Sequence, residues 1–383
     1  MTHRIAVFMG TRPEAIKMAP VVAQLCAAED LEPVVINSGQ HLEMIAQVID
    51  LFGISVDAEL QVMRPDQTLA GLTSRLIQRI DTALAELQPD LVLVQGDTTT
   101  VLCAALASFY RRIPVGHVEA GLRTGNIQSP FPEEANRRLV SPLVALHFAP
   151  TETARQALLA EGIDDQSIVV SGNTVVDALL MELERQQQPG VQRQLNQELC
   201  TTVGQDWQTR PMLLVTGHRR ENFGEGFQQI CNALDELANR FPQMLIVYPV
   251  HLNPNVRQVV HDRLGSADNI RLIEPQPYAQ FVALANASRL ILTDSGGVQE
   301  EAPSLGKPVL VMRDTTERPE GVAAGTVKLV GADAARIVEE AIRLLRDEDA
   351  YRQMSRAANP YGDGQAAPRI IARISDFLAG GAR

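Results

Sequence analysis

Asp294-Ser-Gly-Gly-Val-Gln-Glu-Glu-Ala-Pro-Ser-Leu-Gly-Lys-Pro-Val-Leu-Val-Met-Arg313 decides how the chain is read. The apolar run ahead of it, Arg289-Leu-Ile-Leu-Thr293, has the composition of a buried parallel strand. Ser295, Gly296 and Gly297 then open a helix, and a second strand begins at Lys307-Pro308. Glycines at a helix start let backbone N–H groups close on an anion, and the helix dipole favours negative charge there. Glu301 lies about one turn beyond Gly297 on the same face, where a carboxylate can accept the two vicinal hydroxyls of a ribose. One short unit thus has the parts to hold a diphosphate and a ribose, as a nucleotide sugar requires. Two familiar nucleotide loops do not fit. A Walker loop needs glycine at 301 and Ser or Thr after Lys307, where the chain has Glu301 and Pro308, and G-x-G-x-x-G is absent.

Outward from this stretch, short apolar runs alternate with helical patterns, the signature of stacked βαβ units. Strands are predicted at 4–9, 33–37, 91–95, 114–118, 145–149 and 167–171, with helices at 13–28, 41–51, 67–87, 98–111 and 132–142. A Gln-rich stretch, 185–211, reads as a solvated helix and connector. A second series follows, with strands near 212–216, 244–249, 270–274, 289–293, 308–312 and 327–330. Helices are predicted at 225–240, 255–264, 278–287, 297–305, 333–346, 347–357 and 364–380. The pattern predicts an α/β protein of two Rossmann-like domains with a cleft between them. Its ligands should sit beyond the carboxyl ends of the strands.

Composition narrows the function. A chain of 383 residues suits two domains, and a net charge of −12 argues against nucleic acid or an anionic membrane as partner. Any phosphate site must therefore gather its cations locally. The four cysteines (Cys26, Cys103, Cys200, Cys231) lie far apart without a C-x-x-C pair, the usage of reduced thiols in the cytoplasm. The seven histidines have no metal spacing, and no run approaches a membrane span or a signal-peptide core.

The residues after each predicted strand carry the candidate chemistry. After the first comes Gly10-Thr-Arg-Pro-Glu-Ala-Ile-Lys-Met-Ala-Pro20, with Pro13 at a helix start. Arg12 and Lys17 there are cations suited to phosphate oxygens. Gln95-Gly96-Asp97 follows a second strand, and Asp97 is either a helix cap or an acid of the site. Glu119, directly after a third strand, should lie close to Asp97 if the two strands are neighbours. Glu133 and Arg137 are spaced as i,i+4 partners on a helix begun by Pro132, and Arg137 is, with Lys17, a candidate substrate-binding residue. In the second half, His218 follows a strand and could act near neutral pH. Gln276 and Phe281 offer an amide and an aromatic suited to a uracil-sized base. Arg318 adds a cation for the diphosphate.

These motifs resemble the bacterial non-hydrolysing UDP-N-acetylglucosamine 2-epimerases. The likeness rests on Gly10 to Pro20, Gly96-Asp-Thr-Thr-Thr100, His117-Val-Glu-Ala-Gly-Leu-Arg-Thr-Gly125 and Pro132-Glu-Glu-Ala-Asn-Arg137. It continues through Gly217-His-Arg-Arg-Glu-Asn-Phe-Gly224, Tyr248-Pro-Val-His-Leu-Asn-Pro-Asn255, Asp294 to Pro303, and Asn359-Pro-Tyr-Gly-Asp-Gly364. The resemblance implies a glycosyltransferase-B fold. An N-terminal domain (1–172) would carry the acids, a second domain (173–362) would bind UDP, and a last helix (363–383) would cross back to the first. It implies interconversion of UDP-GlcNAc and UDP-ManNAc without cofactor or metal, in a cytoplasmic homodimer, for cell-envelope polysaccharide. The family's active-site positions match Arg12, Lys17, Asp97, Glu119, Glu133 and His218. Its nucleotide-contacting positions match Gln276, Phe281, Ser295, Gly296, Gly297, Glu301 and Arg318. Some members bind a second UDP-GlcNAc as activator through a Gln-His segment, here Gln40 and His41, although Leu42 departs from the cation common there. The alternative is a glycosyltransferase of the same fold using a UDP-sugar donor.

Overall fold

In the first half of the computed structural model, strands and helices alternate as β1 (His3–Met9), α1 (Arg12–Ala27), β2 (Leu31–Asn37), α2 (Leu42–Phe52), β3 (Ala58–Glu59), α3 (Leu69–Leu87), β4 (Leu91–Gln95) and α4 (Thr99–Tyr110). They continue as β5 (Val115–Val118), α5 (Glu133–Val140), β6 (Leu146–Ala149), α6 (Glu152–Ala160), β7 (Ile168–Val170) and α7 (Thr174–Gln186). The second half runs α8 (Pro189–Thr202), β8 (Met212–Thr216), α9 (Glu225–Arg240), β9 (Leu245–Pro249), α10 (Pro254–Leu264), β10 (Ile270–Ile273), α11 (Tyr278–Ala287), β11 (Leu290–Thr293) and α12 (Gly296–Glu301). It ends with β12 (Val309–Val311), α13 (Pro319–Ala324), β13 (Val327–Leu329), α14 (Ala334–Arg346), α15 (Glu348–Ser355) and α16 (Ala366–Ala379). The structure describes residues 2–39, 42–64, 66–265 and 267–380, so Gln40 and His41 lie outside the described residues.

All strand pairs are parallel. The first sheet has the order β3-β2-β1-β4-β5-β6-β7 and the second β10-β9-β8-β11-β12-β13. Strands covered by helices on both faces need apolar side chains on both, and Ile5 to Met9 of β1 are all buried. Two compact units result. One runs up to Ala178 and is rejoined by the chain from Tyr361 on; the other spans Leu179–Pro360. In the first unit, α3 and α4 cover one core, and α16 packs against α1. In the second, α9, α10 and α14 fill one core, while α8, α11 and α12 contribute to another.

Three local expectations are corrected. Residues 185–211 are less solvated than their Gln content suggests: Leu195, Leu199, Val203 and Trp207 are buried in the core beneath β8 and β9. Helix α6 adds to the expected elements, with Thr151 capping it by accepting the Ala154 N–H. Helix α7 also goes beyond the expectation, carrying the chain on from Gly172-Asn173. Two parallel strands in sequence need a long crossover, so the gap between β6 and β7 already called for α6.

Gly121 fixes the loop after β5. Its φ is +90°, and a Cβ there would lie 2.3 Å from the carbonyl oxygen of Ala154 in α6. Replacing it with Ala should cost about 3 kcal/mol or more of unfolding free energy by denaturant titration. A loss below about 1 kcal/mol would show that the loop gives way there.

Candidate active site

In an open parallel sheet the strand order reverses at one place, and the loops on either side of it splay apart to leave room for a ligand. In the first unit that place lies between β1 and β4. Thr11 caps α1 and Glu14 closes a capping box, with Gly10 and Thr11 N–H groups donating to its carboxylate at 2.7 and 2.8 Å. The other oxygen of Glu14 accepts the Thr98 hydroxyl at 2.6 Å, which ties the β1 loop to the β4 loop. Burial pushes the Glu14 carboxyl up, and these donors only partly offset it.

Register Gln95↔Val118 sets the ends of β4 and β5 side by side. Glu119, one residue beyond, has φ +66°, an uncommon conformation for a residue with a side chain. That backbone turns its carboxylate inward, where only 9% of the residue is exposed. Lys17 Nζ donates to Oε1 at 2.6 Å, Asn173 Nδ2 donates to the same oxygen at 3.2 Å, and Gln95 Nε2 donates to Oε2. Asp97 is more open. Arg137 grips its Oδ2 through Nε at 2.9 Å and Nη2 at 2.7 Å, while Asn136 donates to its carbonyl at 2.8 Å. His117 Nε2 bonds the Gly96 carbonyl at 2.7 Å, and burial drives this imidazole down to about 4, so it stays neutral.

Several predictions meet here and three change. The cap of α4 is Thr98, not Asp97, which leaves the Asp97 carboxylate for Arg137. The partner of Arg137 on its own helix is Glu134 at 3.2 Å, rather than Glu133. Glu134 is fully buried, yet the Thr124 N–H, Arg137 and Arg138 outweigh burial and hold its carboxyl below the usual range. Glu133 is half-buried, with no hydrogen bond or ion pair among the described residues. Lys17, read as a phosphate ligand, has its ammonium on Glu119. Arg12 begins α1 beside this cluster.

In the second unit the order reverses between β8 and β11. Asp294, fully buried after β11, accepts the backbone N–H groups of His218 and Arg219 at 2.9 and 2.8 Å. His218 Nδ1 lies 3.2 Å from its other oxygen, and the His218 ring stacks on His251 with centroids 5.5 Å apart. Burial alone would raise Asp294, but the His218 side chain and these N–H groups hold it below its ordinary value. The Ser295 N–H is taken by Thr293 Oγ1 at 2.9 Å, and Gly296 and Gly297 follow at the start of α12. A Cβ on Gly297 would come within 4.0 Å of Glu301 Oε1, so those two do share a face. A Cβ on Gly296 would come within 3.5 Å of the Arg318 guanidinium, which Glu300 holds at 2.7 Å. On β10–α11, Gln276 donates its amide to the Glu274 carbonyl, and Phe281 is half-buried against the core. Sequence reading missed Glu14, Gln95, Asn173 and Asp294 as members of these clusters. Glu14 sits at the third helical position after Thr11, a capping-box signal that was legible.

Two doubly wound parallel sheets, each with a charged loop set at its reversal point, define a two-domain Rossmann-like protein of the glycosyltransferase-B type. Residues 23–375 match the family model described as UDP-N-acetylglucosamine 2-epimerase. The chain is 55% identical over 373 residues to UDP-N-acetylglucosamine 2-epimerase of Escherichia coli K12, covering 97% of this chain and 98% of that one. It is 54% identical over 374 residues to the enzyme of Salmonella typhimurium, with 98% and 99% covered. The crystal structure of UDP-GlcNAc 2-epimerase from Neisseria meningitidis bound to UDP-GlcNAc superposes with a TM-score of 0.90 at 49% identity, covering 97% of this chain and all of that one. The chain belongs to the UDP-N-acetylglucosamine 2-epimerase family.

Asp294 gives this site a measurable pH signature. Its folded-state value lies below the unfolded one, so its stabilisation is complete above the ordinary 3.8 and fades as pH falls through the lowered value. The stability gap between wild type and Asp294→Asn should therefore shrink as pH is lowered from about 6 to about 3 in urea titrations. A constant gap would mean that the buried group carries no charge.

Proposed function

We propose that this chain interconverts UDP-N-acetylglucosamine and UDP-N-acetylmannosamine by eliminating and re-adding UDP through a glycal. The observation that carries this reading is the pair of carboxylates, Asp97 and Glu119, at the ends of adjacent strands. The sugar C2–H has no carbonyl beside it, so direct abstraction by a carboxylate is slow. Breaking C1–O first sends the bonding electrons to UDP and leaves an oxocarbenium-like C1, which acidifies C2–H. A carboxylate then takes that proton and the C1–C2 double bond forms. Re-addition of UDP with protonation on the opposite face inverts C2.

Opposite faces need separate proton-handling groups, which gives purpose to several acids in one site. Asp97 and Glu133 are assigned the proton transfers, Glu119 the orientation of the sugar, and His218 an assisting role. Arg12 and Arg318, with the Ser295–Gly297 backbone, are assigned the charge developing on the departing diphosphate. Lys17 and Arg137 hold the acids in place, Gln276 and Phe281 receive the base, and Glu301 receives the ribose. Gln40 and His41 are the candidates for an activating second nucleotide. No described helix is long and apolar enough to cross a membrane, and no described cluster of His, Cys, Asp and Glu would hold a metal ion. The reading includes a cytoplasmic enzyme without cofactor that supplies mannosamine units for envelope polysaccharide.

In deuterated water, UDP-N-acetylglucosamine alone should gain deuterium at C2. A glycosyltransferase lacking acceptor would leave C2 untouched, and that result would end this reading. Asp97→Asn should slow turnover by about 10²-fold or more with little change in UDP affinity. Equal loss of both would remove Asp97 from proton transfer.

The neighbouring helices α4 and α5 leave Phe109, Tyr110 and Leu139 exposed. Burying such side chains between two copies supports the homodimer reading. Light scattering should give twice the chain mass for wild type and a shift toward monomer for the Phe109→Ser, Tyr110→Ser double variant. A monomeric wild type at micromolar concentration would refute the dimer.

A further inference from the structure

The closing motif Asn359-Pro-Tyr-Gly-Asp-Gly364 has no part in the chemistry above, yet its backbone lies against the acid cluster of the first unit. The Tyr361 carbonyl accepts the Asn173 N–H at 2.7 Å. A Cβ on Gly172 would lie 3.4 Å from the Gly362 Cα, and one on Gly362 would lie 3.5 Å from the Asn173 nitrogen. Two glycines at φ +90° and +142° thus let two chain segments touch backbone to backbone.

Asn173, itself 3% exposed, has both ends of its side-chain amide engaged. Its Oδ1 accepts the Val175 N–H at 3.1 Å at the start of α7, and its Nδ2 donates to Glu119 Oε1 at 3.2 Å. The first bond fixes the amide orientation. A flipped amide would aim an oxygen at the carboxylate and leave the Val175 N–H without an acceptor.

We propose that Asn173, braced from behind by the Tyr361 carbonyl, is a positioning residue that sets the direction of the Glu119 carboxylate. Lys17 meets the same oxygen, but an ammonium on a four-carbon stem supplies charge with little directional constraint. A short amide pinned at its backbone and at Oδ1 supplies the direction. Gln95 does the same for Oε2 from β4. The inference rests on Glu119 belonging to the reacting set, and it gives the C-terminal motif a purpose: bracing Asn173.

Asn173→Asp tests the claim. The substituted carboxylate keeps the acceptor for Val175 and nearly the same volume, replaces the donor facing Glu119 with an oxygen, and adds a second acid beside it; Asn173→Ser removes the amide donor without that charge. The expected result is a fall in kcat of about 10²-fold, with KM for UDP-N-acetylglucosamine changed by less than about threefold. In the Glu119→Gln background the Asn173→Asp substitution should cost less thermal stability than in wild type, because no second carboxylate then faces the new one. That non-additivity reads the contact without using activity. Asn173→Ser, which also keeps a capping oxygen but lacks the amide donor, should show a smaller fall of the same kind, and it stands in if the first variant folds poorly. Unchanged kcat per folded molecule in either variant, with Glu119→Gln inactive, overturns the role of Asn173 alone. Normal turnover by Glu119→Gln overturns the role of Glu119 itself.

Discussion

A carboxylate withdrawn from water is stable as an anion only where donors replace the lost solvent, and this requirement organises both switch points. Glu119 illustrates it. Strand β5 ends by turning this residue to a positive φ, which costs backbone energy of order 1–3 kcal/mol, and the turn carries the side chain inward. Once there it needs Lys17 from α1, Gln95 from β4 and Asn173 from the start of α7. Three separate chain segments are therefore held to one another through a single carboxyl group. Removing any donor leaves part of a buried charge unmet, a larger penalty than the loss of an exposed pair.

The same arithmetic recurs around it. Glu14 joins the β1 and β4 loops, Glu134 joins the segment at Thr124 and Gly125 to α5, and Asp294 joins the β8 loop to β11. Each of these acids holds a loop and not a strand. Parallel sheets pin their strands by backbone pairing and apolar packing, but leave the loops at the carboxyl edge without such support. The acids supply it where a ligand site has to be rigid. Among the candidate catalytic acids of the first unit this leaves Asp97 and Glu133, both only partly buried, with surface still turned to solvent.

Much of this was legible in the chain. The βαβ rhythm, the reversal-point loops and the identity of Asp97, Glu119 and His218 follow from apolar periodicity and from what stands just after each strand. The less legible part is who pairs with whom. The spacing of Glu133 and Arg137 points to an ion pair, yet the guanidinium goes to Asp97, 40 positions away, because the parallel sheet brings the β4 loop to α5. Helical spacing reports which residues share a face and says nothing about a stronger partner arriving from elsewhere. Likewise Gln-rich α8 reads as solvated, since its two leucines make a weak stripe, but Trp207 behind it seals the face against β8 and β9. Asn173 carried no signal at all, because its importance lies in a bond to a residue 54 positions earlier.

The start of α12 shows how an unfavourable local arrangement argues for a ligand. Gly296 has no side chain, and the Arg318 guanidinium lies beside it, 3.5 Å from where a Cβ would stand. A cation beside the positive end of a helix is repelled by it, and Arg318 is only 13% exposed, so water does little to relieve the repulsion. Glu300 at 2.7 Å and Glu317 at 3.5 Å offset part of it. A fold selected for stability alone would place an acid or a neutral cap at this helix start, and Ser295 gives no side-chain cap bond. A cation kept beside free helix-start N–H groups is an advantage only when an anion comes to them. In a chain of net charge −12 such a placement does not arise from composition. The arrangement is in keeping with the diphosphate position proposed at Ser295–Gly297.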